Sequence, residues 1–379
     1  MEPCDRQSRG IVSWTVWIKF VSHPSGTTQR VLHVVDRTEG GVPVAAATYI
    51  RNSPSSVEHH VLAPFTNGHP PEVWVDVPAT LHDLGSGVTS RIMKVARTAH
   101  RVQATVVHAH SSFAGAYARV APIGRHARLV YTPHCFSFTR TDGGATSRLL
   151  YRGIESLLAS RTDLLAACSP GEMAIAQGFR LLRGRASLIP NVASIDSADP
   201  LQDMTSIKQQ VRVGMLGRVS PQKDPRKFLG ILDAMRSRGI GVDAYWIGDG
   251  DEQRADLGAA NVQVTGWLAA DDVLLTLRSL DVYIHSAAWE GFPIAVLDAH
   301  AAGLPILVRP IPAFGKLPEE LTTNNVGLDA LSDALSSPTA FSTWRRANRE
   351  AWNDLLERNS PAHQRAALAE AWGVPCELV

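Results

Sequence analysis

Asp281 to Val308, DVYIHSAAWEGFPIAVLDAHAAGLPILV, decides how the rest of the chain is read. Its first five residues are a short, mostly apolar, β-rich run, as a buried parallel strand requires. Ser286 to Gly291 is small and polar and fits neither the helical nor the strand period. Pro293 suits the first position of a helix, where its missing N–H leaves nothing unpaired. Ile294, Val296, Leu297 and Ala301 give that helix a buried face, and Gly303 supplies the left-handed residue past its end. Leu304-Pro305 then turns the chain into a second buried strand, Ile306-Leu307-Val308.

The chemistry belongs at the loop-to-helix junction. A helix N-terminus presents unpaired N–H groups and about half a positive charge, so Gly291, Phe292 and Ile294 mark a phosphate site. Glu290 lies just before that terminus and Asp298 inside the helix. An acid beside an anion site is unfavourable unless it binds something else, and sugar hydroxyls are suitable partners. Either acid alone reads as a solvated surface residue; with Trp289, Gly291 and the strand context, the pair reads as a site.

Working outward, strands and helices alternate from Arg30 onward, which predicts a parallel sheet with helices on both faces. Val31–Val35 is the first strand, and the turn after it carries Gly40-Gly41, a pair that lets backbone approach a ligand closely before a helix opens at Pro43. Further strands are expected at Val57–Leu62, Val73–Val77, Thr105–His108, Arg128–Tyr131 and Leu164–Ala167. The strand before VVHAHSSFAGAYAR's helix ends in His110-Ser111-Ser112, and Thr132-Pro133-His134-Cys135 ends the next. Ser169-Pro170-Gly171-Glu172 is a capping box with Pro at the first helical position, read as structural. Polar, unpatterned residues 196–210 read as a linker. Val211–Leu216 opens a second unit. Asp224 and Pro225 start its first helix, and Arg218 and Lys223 flank a turn where two cations can converge on a diphosphate. Asp243–Ile247 ends in the acidic turn Gly248 to Glu252, and Val262–Thr265 leads to the Gly266-Trp267 turn.

These motifs resemble the group 1 glycosyltransferases, retaining enzymes of the GT-B fold. AWEGFPIAVLDAHAAGLPIL is similar to that family's Glu-Gly-x6-Glu signature with its alanine-rich turn and Gly-x-Pro. GRVSPQKDP resembles its GRLxxxKG element, and HAHSS with YTPH resembles segments of its polysaccharide-type members. The resemblance covers residues 31 to 321. It implies two Rossmann-like α/β domains facing across a cleft, with a C-terminal helix returning to the first. The expected division is an extension at 1–29, an acceptor-side domain at 30–200, a nucleotide-sugar-binding domain at 201–345 and a helical segment at 346–379. It further implies that Glu290 and His134 act at the donor sugar. Asp298, one methylene shorter than the family's Glu, would hold the ribose. Arg218, Lys223, Gly41, Gly291, Phe292 and Ile294 would hold the diphosphate, and Ser111 and Ser112 lie on the acceptor side. Cys135 and Asp224 stand where glycine is usual. The implied donor is a nucleoside diphosphate sugar, used without metal or other cofactor. The implied acceptor is a glycan, lipid-linked or small-molecule hydroxyl. A cytoplasmic protein with peripheral contact at the inner membrane face is expected by analogy. A sugar-nucleotide epimerase of the same fold and an inactive sugar-nucleotide-binding protein are the alternatives. A nicotinamide dehydrogenase would need G-x-G-x-x-G after the first strand, and Arg37 to Gly41 does not supply it.

Composition agrees and excludes other classes. The chain has 379 residues, 45% hydrophobic and 19% charged, room for two globular domains with their own cores. A formal net charge of +1 gives no case for nucleic acid. Cys4, Cys135, Cys168 and Cys376 are scattered, which speaks for reduced thiols. Among fourteen histidines, His108 and His110 share a strand face and His59 and His60 are adjacent. No acidic or cysteine partner stands at ligand spacing beside them, so a metal site is not predicted. Ile11 to Val21 is too short and too interrupted to span a bilayer.

Overall fold

The computed structural model describes residues 29–197, 210–250 and 253–375. Most of the expected 1–29 extension, the bulk of the 196–210 linker, Asp251, Glu252, Cys4 and Cys376 lie outside those residues.

The first unit alternates β1 (Gln29–Val35), α1 (Gly41–Arg51), β2 (Val57–Ala63), β3 (Thr80–Asp83), α2 (Val88–Arg101), β4 (Val106–His110), α3 (Ser112–Val120), β5 (Arg128–Thr132), α4 (Ala145–Ala159), β6 (Leu164–Ala167), α5 (Pro170–Gln177) and β7 (Arg185–Leu188). Its seven strands lie in the order β3-β2-β1-β4-β5-β6-β7, all parallel. The second unit runs β8 (Val211–Leu216), α6 (Pro225–Arg236), β9 (Val242–Ile247), α7 (Arg254–Ala259), β10 (Val262–Val264), α8 (Ala270–Arg278), β11 (Val282–His285), α9 (Ile294–Ala301) and β12 (Ile306–Val308). Its five parallel strands lie in the order β10-β9-β8-β11-β12. In both sheets the order reverses beside the first strand, between β1 and β4 and between β8 and β11. Loops leaving the carboxyl ends of those strands diverge there and leave a crevice, the usual ligand position in open α/β sheets.

The strands are near-continuous apolar runs because helices cover both faces; Val31, Leu32, Val34, Val282 and Ile284 are fully buried. Three helices complete the chain: α10 (Asn325–Ala334), α11 (Pro338–Leu356) and α12 (Pro361–Trp372). The boundary expected after 345 falls inside α11. Beyond it, α11 still serves the second unit: Asn348 bonds both the N–H and the carbonyl of Ile306, and Trp352 Nε1 donates to the same carbonyl. Among the described residues α12 is the helix that returns to the first sheet. There Gln364 donates to Pro190 O at 2.8 Å, and Trp372 packs edge-on against His33 and His59.

One expected strand is absent. Val73–Val77 holds a short 3-10 turn, Glu72–Trp74, and the edge strand is β3 instead. Pro70, Pro71 and Pro78 cannot donate to a ladder. Trp74 and Val77 bury their side chains at a helical spacing of three rather than by alternation. Two helix starts also shift. Pro293 caps α9 from outside with extended backbone, and α1 begins at Gly41 rather than Pro43.

Candidate active site

The crevice floor is built from three loops. After β8, residues 217–224 carry Arg218 and Lys223. After β11, residues 286–293 carry Glu290 and lead into α9. The two are stitched together: Ala288 N–H donates to Gln222 O, and Ser286 Oγ donates to Lys223 O at 2.7 Å. Gly217 has φ +146°, and a Cβ there would lie 2.7 Å from Lys223 Cε, so glycine is what lets the lysine fold across this loop.

Glu290 is the most constrained group. Lys223 Nζ approaches one of its oxygens at 2.6 Å and Gln222 Nε2 the other at 3.0 Å. Below it, His285 is completely buried at the end of β11. Tyr283 OH receives Leu216 N–H at 3.3 Å and keeps its own proton to give to His285 Nδ1, 3.2 Å away. The imidazole then carries its hydrogen on Nε2, which has no hydrogen-bond partner and points toward Glu290 Oε1 at 3.7 Å. Burial, and then the nearby Lys223, hold His285 neutral with its pKa well below the usual value.

From the other unit, the β5 loop brings in His134 and Cys135, both left-handed at φ +48° and +93°. Glu172, buried at the start of α5, holds this turn by accepting from the N–H groups of Cys135 and Cys168. The capping box is therefore half formed: Ser169 Oγ accepts from Glu172 N–H at 3.1 Å, but the Glu172 carboxylate serves the β5 loop instead of returning to Ser169. Gly291 meets this turn directly. A Cβ on it would lie 2.8 Å from His134 C, 2.9 Å from Cys135 N and 2.9 Å from Cys168 Sγ. Glu290 and His134 are thus brought to one place from opposite sheets. Asn191 reinforces the meeting, its Nδ2 donating to Phe292 O at 2.9 Å.

The remaining expected residues are disposed as follows. Gly41 is exposed at the N-terminus of α1, with nothing within 4 Å of a would-be Cβ. Arg218 reaches across the crevice to Glu39 at 3.1 Å, an exposed pair. Both expected diphosphate cations thus face carboxylates in this structure. Phe292 is buried, and Ile294 is the first residue of α9. Asp298 is also buried, and both its oxygens are taken by Ser194, from N–H at 2.6 Å and Oγ at 2.9 Å. Burial pushes its pKa up to about 6 against those hydrogen bonds. Ser111 donates to Asp36, and Ser112 begins α3 beside it.

Behind His134 runs a chain of rings. His134 Nε2 lies 3.1 Å from His110 Nδ1, His110 Nε2 3.0 Å from His33 Nδ1, and His33 Nε2 3.1 Å from His59 Nδ1. His59 Nε2 meets Ser53 Oγ at 2.7 Å, and that hydroxyl also reaches Ile50 O at 2.8 Å. If Ser53 gives its proton to Ile50, every ring in the chain carries hydrogen on Nε2. His33, His108 and His110 are close enough together to share a metal ion. Yet all six of their ring nitrogens have partners, His108 bonding Thr132 Oγ1 and Trp372 Nε1.

Comparison with known proteins agrees with this architecture on both sides of the crevice. Residues 26–192 match the model of the glycosyl transferase 4-like domain, and residues 210–337 match that of the group 1 glycosyl transferases. The chain belongs to the group 1 glycosyltransferases. This glycosyltransferase is 24% identical over 317 residues, 79% of its length and 85% of the other, to an uncharacterised 41.2 kDa protein of the cps region of Klebsiella pneumoniae. It is 26% identical to the UDP-Gal:α-D-GlcNAc-diphosphoundecaprenol α-1,3-galactosyltransferase of Escherichia coli, over 54% of this chain and 58% of that one. Among solved structures, Anabaena HepE in complex with UDP-glucose superposes with a TM-score of 0.69 at 17% identity, covering 91% of this chain and 99% of that one. The lipopolysaccharide outer core galactosyltransferase WaaB superposes at 0.62 with 15% identity, covering 90% and 99%. These likenesses establish the GT-B fold.

Sequence reading missed His285, Gln222, Glu39, Ser194 and Glu172 as parts of the site. His285 had a signal, a polar ring closing an apolar strand that enters the signature loop. The others are set by contacts far away in sequence.

Proposed function

We propose that this glycosyltransferase moves a hexose-like sugar from a nucleoside diphosphate sugar to a hydroxyl of a glycan or lipid-linked acceptor, with retention of anomeric configuration. One observation carries the reading: Gly291, between Glu290 and α9, meets the His134–Cys135 turn across the crevice, next to the Lys223–Glu290 pair.

In this reading the donor's diphosphate lies against Arg218, Lys223, Gly41 and the N–H groups of Gly291, Phe292 and Ile294. These groups stabilise charge developing on the leaving phosphate. Binding exchanges the carboxylate partners of both cations for phosphate oxygens, so Glu290 is freed to accept from donor-sugar hydroxyls. His134, neutral because burial lowers its pKa to about 3, orients the sugar without adding charge. Asp298 holds the ribose through an oxygen lone pair left over from Ser194, or through a water. Ser111 and Ser112 line the acceptor side. The cations and the helix terminus take the place of a divalent metal in this scheme. Lipid-linked acceptors are supported by the activity named for the Escherichia coli relative, and they imply contact with a membrane surface.

The test is to incubate the protein with nucleoside diphosphate sugars and candidate acceptors, with and without EDTA, and read product configuration by proton NMR. Transfer with retention that persists in EDTA is expected. Transfer abolished by chelator and restored by manganese would overturn the metal-independent scheme. An isomerised sugar nucleotide from donor alone would identify an epimerase.

A further inference from the structure

His59, His33, His110 and His134 form a diagonal across the first sheet. In the strand register His59 stands beside Val31, two residues before His33. His33 stands beside His108, two before His110, and His110 beside Thr132, two before His134. Each step to the next strand therefore advances by two residues, which keeps every ring on the same face of the sheet. The line climbs from Ser53, just past the end of α1, to the crevice at the end of β5. Along it each ring meets the next at 3.0 or 3.1 Å. A buried core histidine needs only two partners, whereas this chain has an open end. Nδ1 of His134 has no hydrogen-bond partner among the described residues and, unlike Nε2 of His285, is not sealed from solvent.

Burial holds all four rings neutral at pH 7, with one hydrogen each. A neutral imidazole donates from one nitrogen and accepts at the other, so the chain has two consistent states. Either every hydrogen is on Nε2 or every hydrogen is on Nδ1; a mixture sets two lone pairs or two hydrogens face to face. Ser53 decides between them. Its Oγ has two short contacts, His59 Nε2 at 2.7 Å and Ile50 O at 2.8 Å, and only one hydrogen to share. A carbonyl can only accept, so both contacts are hydrogen bonds when the hydroxyl donates to Ile50 and accepts from His59 Nε2–H. The reverse state leaves two oxygens at 2.8 Å with no hydrogen between them. Ile50 O also belongs to the last turn of α1, where the helix dipole favours a donor.

We infer that Ser53, His59, His33 and His110 are positioning residues that hold the hydrogen of His134 on Nε2, so that its Nδ1 lone pair accepts from a hydroxyl of the donor sugar. Ser53 acts at a distance of four rings, because turning one ring of the chain requires turning them all. A His134 polarised in this way gains from a hydroxyl, which can donate, and repels a group at the same place that offers only lone pairs, such as an ether or a carboxylate. The sugar contact rests on the glycosyltransferase reading; the polarised chain does not.

Long-range proton–nitrogen NMR of the full chain, isotopically labelled at its histidine nitrogens, reads which nitrogen of each ring carries hydrogen, and His134→Asn identifies the His134 signals. At neutral pH the hydrogen of His134 is expected on Nε2. Ser53→Ala removes the group that favours one state, so a share of His134 should move to Nδ1–H. Ser53→Thr keeps the hydroxyl and should restore the original pattern, with thermal melts showing both variants folded. Hydrogen on Nδ1 of His134 in the unsubstituted protein, or a His134 spectrum that Ser53→Ala leaves unchanged, overturns the polarised chain. The sugar contact is tested with UDP-glucose, UDP-galactose and GDP-mannose. One that binds by calorimetry should shift the His134 Nδ1 signal beyond the effect of its own nucleoside diphosphate. Ser53→Ala should weaken it roughly three- to tenfold while leaving the affinity of the diphosphate alone unchanged. Binding without that shift overturns the sugar contact. If no sugar nucleotide binds, the donor reading falls and the sugar contact with it, while the chain stands or falls on its spectrum.

Discussion

Asp298 makes the first residue-scale case. Its carboxylate is buried with a pKa raised to about 6, against an ordinary value near 4. A raised pKa means the protonated form is favoured in the folded state, so the stabilisation is complete below about pH 4 and is lost as pH rises through 6. Asp298→Asn should therefore be no more stable than the unsubstituted protein at pH 4 and gain progressively up to pH 7, by at most about 3 kcal/mol. The same substitution should raise the donor KM, because ribose hydroxyls lose an anionic acceptor worth about 1–3 kcal/mol, while Glu290→Ala should chiefly lower kcat. Urea melts across pH with steady-state kinetics decide both; a variant equal to the original in stability and KM would leave Asp298 with no role at the ribose. Cys135 makes the second residue-scale case. At φ +93° its Cβ is strained where glycine's would not exist. Cys135→Gly should thus be more stable than Cys135→Ala by about 1 kcal/mol, measured by thermal melts.

At the scale of elements, strands β1, β2 and β4 place His33, His59, His108 and His110 on one buried face, closed by Trp372 from α12. Burial holds all four neutral, His59 down to about 4 and the others well below the ordinary value. A depressed histidine pKa means the unfolded chain takes up protons first, so stability falls as pH drops below about 6.5. His59 alone contributes on the order of 3 kcal/mol of that loss by pH 4. His59→Gln should flatten the acid limb of a stability–pH curve, read by urea denaturation between pH 7 and 4. An unchanged slope would mean that the ring takes up its proton alike in the folded and unfolded chain. The elements themselves were largely legible in sequence: apolar runs bounded by Gly and Pro marked ten of the twelve strands, because parallel strands buried on both faces leave little else to write. β3 and β7 were missed because Thr80–Asp83 and Arg185–Leu188 are partly exposed edge strands with weak patterning. The histidine chain was invisible because its members come from strands 26 to 77 residues apart, joined only by sheet order.

At the scale of the molecule, two sheets with the same reversal face each other, and everything argued about function lies where their carboxyl ends meet. The signature loop announced Glu290, Gly291 and α9 from sequence. Their opposition to His134, and the pairing of Lys223 with Glu290 and Arg218 with Glu39, needed the two units set side by side. Both cations are paired with acids at the crevice, and in the proposed reading a diphosphate displaces those acids. The most direct test of this account is titration calorimetry of UDP, and of other nucleoside diphosphates, into the protein and into Arg218→Ala/Lys223→Ala. The account predicts that one nucleoside diphosphate binds the unsubstituted protein and that the double variant, folded by thermal melt, loses about 3 kcal/mol or more, upward of a hundredfold in affinity. Equal affinity in both proteins would contradict it.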